Sequence, residues 1–139
     1  MVRINLISPR KLADQHLIAE YNEILMLFGY LRKYPKADNI TENYCLGKGH
    51  IRFFKNKLLY LKKRHESIKK EMRRRGFKAN KTINLEEFDE KLLNCWKPKS
   101  SDKEMIKKRI VERLNEKPEY YSYYRKKMPS SFLLDLIKK

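Results

Sequence analysis

Apolar positions recur at steps of three and four along three stretches of the chain, the period of an amphipathic helix. The first stretch runs over about 8–33. Ser8 can cap it and Pro9 suits its first turn. Leu17, Tyr21, Ile24, Leu25 and Phe28 then fall on one side. The adjacent side carries Gln15, His16, Ala19, Asn22, Glu23 and Met26. His16 and Glu23 are seven residues apart, which sets them two turns apart on nearly one line. The second stretch covers about 50–75, with Ile51, Phe54, Leu58, Leu61, His65, Ile68 and Met72 as a core stripe and Lys and Arg dense on its outer faces. Gly76-Phe77 after it reads as a left-handed C-cap with an apolar partner, and Arg73, Arg74 and Arg75 complement the helix dipole. A capping-box pattern, Ser101-Asp102-Lys103-Glu104, opens the third. It runs to about 115 with Ile106, Ile110, Val111 and Leu114 inward, and Lys117-Pro118 stops it.

Between these stretches the pattern fails. Residues 34–49 read as a loop with a Gly47-Lys48-Gly49 turn, and residues 78–99 as irregular chain, briefly helical around 85–93. A tail at 130–139, with Phe132, Leu133, Leu134, Leu136 and Ile137, suits a last amphipathic turn or two. Three main helices, long loops and little strand signal predict an all-α chain, with residues 1–139 forming a single compact domain.

Charge adds a partner to this picture. Lys and Arg number 34 against 17 Asp and Glu, a formal charge of +17. A chain that repels itself so strongly has a polyanion to meet, nucleic acid before an anionic membrane. No apolar run approaches the roughly 20 residues that span a bilayer, and the first residues lack a signal peptide's apolar core. An intracellular location, cytoplasmic or nucleoid-associated, follows as an expectation. Cys45 and Cys95 stand far apart and are expected to be unpaired and partly buried. No zinc-ligand spacing joins them to the three histidines, so chemistry without a metal is expected. The chain length, and the lack of an extended exposed apolar stripe, make a monomer the default.

Several features can carry that partner. Cations on the second helix, Arg109 and Arg113 one turn apart, and Arg125 to Lys127 can neutralise phosphates. Tyr120, Tyr121, Tyr123 and Tyr124 beside those last cations can stack on bases or sugars, while some of these rings also cover the core. Glu23 near His16 and Gln15 could transfer protons, but a helical Glu is ordinarily solvent-facing, and Glu20 is as good a candidate. His16 and His50 read first as hydrogen-bonded structural residues. Gly47-Lys48-Gly49 falls short of a phosphate-binding loop and suits a helix-entry turn.

The residues then resemble a family. Met1-Val2-Arg3-Ile4-Asn5-Leu6, Leu12-Ala13-Asp14-Gln15-His16-Leu17 and Ala19-Glu20-Tyr21-Asn22-Glu23 are similar to the start of the pyrimidine-dimer DNA glycosylases of the bacteriophage endonuclease V type. The likeness continues at Phe28-Gly29, Arg32-Lys33, Leu46 to His50, Phe53-Phe54, Lys57-Leu58 and Arg74 to Phe77. It returns at Arg109, Arg113, Pro118 and the tyrosine cluster; residues 78–100 and the tail have no clear counterpart.

The resemblance implies an N-terminal segment packed between helices and damaged double-stranded DNA as partner. It implies two catalytic groups, the α-amine of Val2 after removal of Met1, and Glu23. The amine displaces the damaged base, forms a Schiff base with the sugar and breaks the strand by β-elimination, with no cofactor. An α-amine titrates near 7.7–8.0, so on the order of a tenth is neutral at pH 7, and Arg3 beside it favours that form. The DNA-facing residues so implied are Arg3, Gln15, His16, Asn22, Met26, Lys33, Arg109, Arg113, Tyr120, Tyr121, Tyr123 and Arg125. Two depart from the family, which commonly has Arg at the positions of Asn22 and Met26. Tyr120 stands for a family Trp, and Val2 for Thr in the phage member. These changes leave the amine chemistry better supported than the choice of lesion.

Overall fold

A computed structural model describes residues 4–34, 40–47 and 49–139. Five helices carry the fold: α1 (Asp14–Lys33), α2 (Gly49–Phe54), α3 (Leu58–Arg74), α4 (Ser100–Glu116) and α5 (Ser130–Lys138). A two-stranded antiparallel hairpin, β1 (Ser122–Tyr123) and β2 (Lys126–Lys127), joins α4 to α5. Among the described residues the protein is all-α apart from this hairpin. α1 packs along α3, and α4 along α5.

The expected stripes face the core. Leu17, Tyr21, Ile24 and Phe28 of α1 are buried, as are Leu58, Leu61, His65, Ile68 and Met72 of α3 and Ile106, Ile110 and Leu114 of α4. The Gly76 cap also forms: its φ is +89°, its N–H donates to the Arg73 carbonyl, and Phe77 N–H reaches the Met72 carbonyl.

Four boundaries differ from the sequence expectation. The first helix begins at Asp14, because Pro9–Lys11 forms a separate 3-10 turn and Leu12 and Ala13 are extended. The second stretch is two helices. At Lys57 the backbone leaves the helical region (φ −126°, ψ 42°), and the Lys57 ammonium ties down the Phe53 carbonyl and the Asn56 side chain. Just before this break, adjacent Phe53 and Phe54 at the end of α2 both pack into an aromatic cluster with Tyr44, Tyr60 and Trp96. The third helix starts early, with its cap at Lys99, two residues before Ser101, and the cap contact is Lys99 N–H to the Asp102 carboxylate. The tail is a full nine-residue helix whose Leu133 and Ile137 enter the core. Both cysteines are free thiols; Cys45 is half-buried as expected, whereas Cys95 is exposed.

Residues 4–7 lie in the core. Ile4, Asn5, Leu6 and Ile7 are all buried. Their backbone is held by side chains, as buried chain outside any helix or sheet must be. Ile4 N–H donates to His50 Nε2 at 2.8 Å, and the Tyr44 hydroxyl donates to the Ile4 carbonyl at 3.2 Å. Asn5 N–H and Nδ2 both donate to Glu20 Oε1, at 3.2 and 2.9 Å. Arg64 Nη1 donates to the Ile7 carbonyl, while its Nε and Nη2 hold the Glu20 carboxylate. Leu6 adopts φ +61° in a tight turn closed by Ile7 N–H on the Asn5 carbonyl. Such strain persists only where the surroundings over-determine it, and Glu20 and Arg64 do so here.

Candidate functional site

The buried segment runs to the wall of a cavity of about 300 Å³, lined by Asn5 and by α1, α4 and the chain before the hairpin. α1 contributes Gln15, His16, Ala19, Glu20 and Glu23, spaced so that they share one face. α4 contributes Arg109, Ile110 and Arg113; Tyr120 and Tyr121 close one side.

The two carboxylates of the cavity differ. Glu20 is fully buried, and the Arg64 guanidinium grips it at 2.6 Å. Glu23, three residues on, is half-buried and faces the cavity where Arg109 and Arg113 stand. Their guanidiniums lean on Glu112 and Glu116 at 3.2 and 3.3 Å, exposed pairs of small net worth that an incoming anion can replace. Arg109 Nε is buried with no hydrogen-bond partner among the described residues.

His16 packs its ring against Tyr121, with centroids 4.8 Å apart. Burial, reinforced by Arg113 and opposed by Glu20, pushes its imidazole down to about 4. It is therefore neutral at pH 7. Its buried Nδ1 has no partner among the described residues. His50 is structural, as first read. Its Nδ1 faces the Cys45 carbonyl at 2.9 Å and must carry the proton, which leaves Nε2 to accept from Ile4.

The tyrosine cluster divides as expected. Tyr121 is buried and donates to the Arg113 carbonyl, while Tyr120 remains 51% exposed at the cavity mouth. Gln15 fixes this wall to α1 by accepting from Ser122 N–H at 3.0 Å and donating to the Tyr120 carbonyl at 3.4 Å.

The remaining expected site residues are not gathered here. Tyr123 bonds the Arg10 carbonyl and packs on Arg75 and Phe132. Arg125 sits at the hairpin tip beside Gly76. Asn22 and Met26 are exposed on α1 next to Glu23, and Lys33 is exposed at the helix end. Val2 and Arg3 lie outside the described residues.

Sequence reasoning missed the residues that position the site. Asp14 is buried and accepts from Arg75 Nη1 (2.9 Å), Ser122 Oγ (2.8 Å), Tyr124 N–H (3.1 Å) and Arg125 N–H (2.7 Å). Arg75 also binds Glu71 at 2.9 Å, and Tyr124 donates to the same carboxylate. Arg64, Lys69 and Arg75, which looked like phosphate contacts, are buried and committed inside the protein. The available signal was an acid directly before a helical apolar stripe, and a polar Asn5 between Ile4 and Leu6.

A helical, strongly basic protein with a cation-walled, aromatic-lipped cavity has the make-up of a nucleic-acid binder. The class is narrower still: a family model described as pyrimidine dimer DNA glycosylase matches residues 1–85, and the chain belongs to that family. Its substrate is accordingly DNA. The matched residues include α1 with Glu23, whereas Arg109, Arg113 and the tyrosines lie beyond them and build the opposite wall. Among the described residues no helix is long and apolar enough to cross a membrane.

Proposed function

We propose that the chain excises cyclobutane pyrimidine dimers from duplex DNA as a glycosylase and then cleaves the abasic site as a lyase. The observation that carries this reading is Glu23, half-buried in a cation-lined cavity whose wall includes Asn5. Val2 precedes Asn5 by three residues, and three residues span at most about 11 Å. The α-amine is thus within chain reach of Glu23's cavity. The neutral amine attacks C1′ of the damaged nucleotide; the C1′–N bond breaks, and the base leaves with that electron pair and takes up a proton. Glu23 stabilises the cationic sugar, takes a proton from the amine once it is bonded to C1′, and returns it to O4′ as the ring opens to a protonated Schiff base. Loss of a C2′ proton then expels the 3′ phosphate by β-elimination, and water releases the amine.

Borohydride added to enzyme and dimer-containing duplex should trap a covalent adduct whose mass maps to Val2. Absence of an adduct on both dimer and abasic duplexes would sink the amine scheme. Glu23→Gln should keep DNA binding and lose base release by about 100-fold or more, the scale of a positioned acid–base group. A second reading, abasic-site cleavage or excision of another lesion, rests on the exposed, uncharged Asn22 and Met26 beside Glu23. Competition among irradiated, abasic and oxidised duplexes separates the two.

A further inference from the structure

The face of α1 that carries Glu23 continues outward as a ridge unlike the rest of the surface. Ala19, Asn22, Met26, Gly29 and Tyr30 are all exposed and all uncharged. They sit in a chain of which 37% is charged. Met26 is 65% exposed, the most exposed large apolar side chain among the described residues, and Tyr34 and Tyr30 on the same ridge are 54% and 46% exposed. No extended exposed apolar stripe was expected from the sequence; Met26, Tyr30 and Tyr34, at steps of four, form one. A single exposed Met is ordinary. A row of uncharged exposed residues bordering Glu23's cavity, whose other acid, Glu20, is buried in an ion pair, is a contact surface.

Charge says what covers it. Arg109 and Arg113 stand on the cavity side, while Lys55 lies over the Tyr30 ring at 5.4 Å and Lys33 over the Tyr34 ring at 5.9 Å. An apolar ridge between cations fits a duplex whose phosphates meet the cations and whose bases and sugars meet the ridge. Ala19 and Met26 offer no hydrogen-bond donor to a base edge, so the ridge does not read sequence through them. A long, unbranched, flexible thioether standing proud of the helix instead has the shape of a wedge, the use made of Met and Leu by proteins that part base steps and kink DNA.

We infer that Met26 enters the base stack of duplex DNA beside the lesion, one helical turn from Glu23, and that Tyr30 packs on the sugars next to it. The inference rests on the chain acting on damaged duplex DNA, as proposed above. Insertion opens the stack at the step where Glu23's cavity receives the sugar, so it serves base excision more than cleavage of a site that has already lost its base.

The test uses a duplex with a single cyclobutane dimer and 2-aminopurine in the opposite strand. Wild type should raise the 2-aminopurine fluorescence. Met26→Ala should cut that rise by about fivefold while binding at low salt stays within about twofold and the salt slope is unchanged, because no phosphate contact is lost. Base release should fall by about tenfold, with cleavage of an abasic duplex changed by less than about threefold. Met26→Leu should restore both signals. Equal fluorescence in Met26→Ala and wild type would overturn the wedge, as would a uniform loss of binding to all duplexes. A DNA-free dimer that Met26→Ala dissociates, seen by sedimentation, would assign the ridge to a second copy instead. Wild type that opens the stack but gives no borohydride adduct would sink the amine scheme and leave the wedge standing.

Discussion

At the scale of single residues, the decisive distinction is between Glu20 and Glu23. Both are helical glutamates on nearly one face, and periodicity ranked them equally. The difference comes from a partner 44 residues away in sequence, Arg64, which takes Glu20 into the core. Breaking a buried pair leaves an uncompensated charge. Glu20→Gln should therefore cost about 3–5 kcal/mol of stability and loosen Asn5, whereas Glu23→Gln, at a half-buried position, should cost less. Urea denaturation of the two variants makes the comparison; equal midpoints would refute the assignment.

Histidine titration belongs to the same scale. His16 and His65 are both held down to about 4, each first by burial; Arg113 adds to this at His16 and Lys69 at His65. The His65 ring stacks on Tyr21 at 4.7 Å, and among the described residues neither of its nitrogens has a hydrogen-bond partner. A histidine whose folded pKa lies below its unfolded value of about 6.5 binds its proton preferentially when unfolded. Stability is then complete above pH 6.5 and falls as the pH drops from 6.5 towards 4. The two together should remove about 2–5 kcal/mol over that window. His65→Phe, which keeps the stacking, should lose part of this slope in denaturation at pH 7 and pH 5. An unaltered slope would show that His65 does not titrate there.

At the scale of elements, the helices were legible because their cores repeat every three or four residues. The breaks were not. No Gly or Pro marks Lys57 as a helix break, and the aromatic cluster beside it joins Phe53 and Phe54 to Tyr44 and Trp96, the latter distant in sequence. The hairpin was missed for a related reason. Its two central residues, Tyr124 (φ +52°) and Arg125 (φ +66°), adopt the left-handed conformation that such turns usually give to Asn and Gly. Asp14 holds them there through both of their N–H groups, so the instruction for this turn sits 110 residues away. Arg125→Gly should relieve strain and raise stability by about 0.5–1 kcal/mol in thermal melts. The same variant tests Arg125 as a phosphate contact, since losing one would lower the salt slope of DNA binding by about one unit.

At the scale of the whole molecule, a net charge of +17 overstates the surface that meets DNA. The second stretch read as a basic outer face, yet Arg64 and Arg75 are clamps for the N-terminal segment and the hairpin. Arg64→Gln should then act through folding, with a lowered unfolding midpoint. Arg109 and Arg113 differ: they line the cavity, and their pairs with exposed Glu112 and Glu116, at 3.2 and 3.3 Å, are surface pairs that release easily in salt. Each of Arg109→Gln and Arg113→Gln should leave the midpoint within about 0.5 kcal/mol of wild type, as surface substitutions do. Each should also lower the slope of log K against log salt by about 0.9 if it meets one phosphate. Titrations of dimer-containing duplex between about 50 and 200 mM salt resolve a change of that size. Parallel lines for wild type and both variants would remove the α4 wall from the DNA interface. They would leave Glu23's cavity bounded on that side by cations that act only on His16 and the reacting sugar.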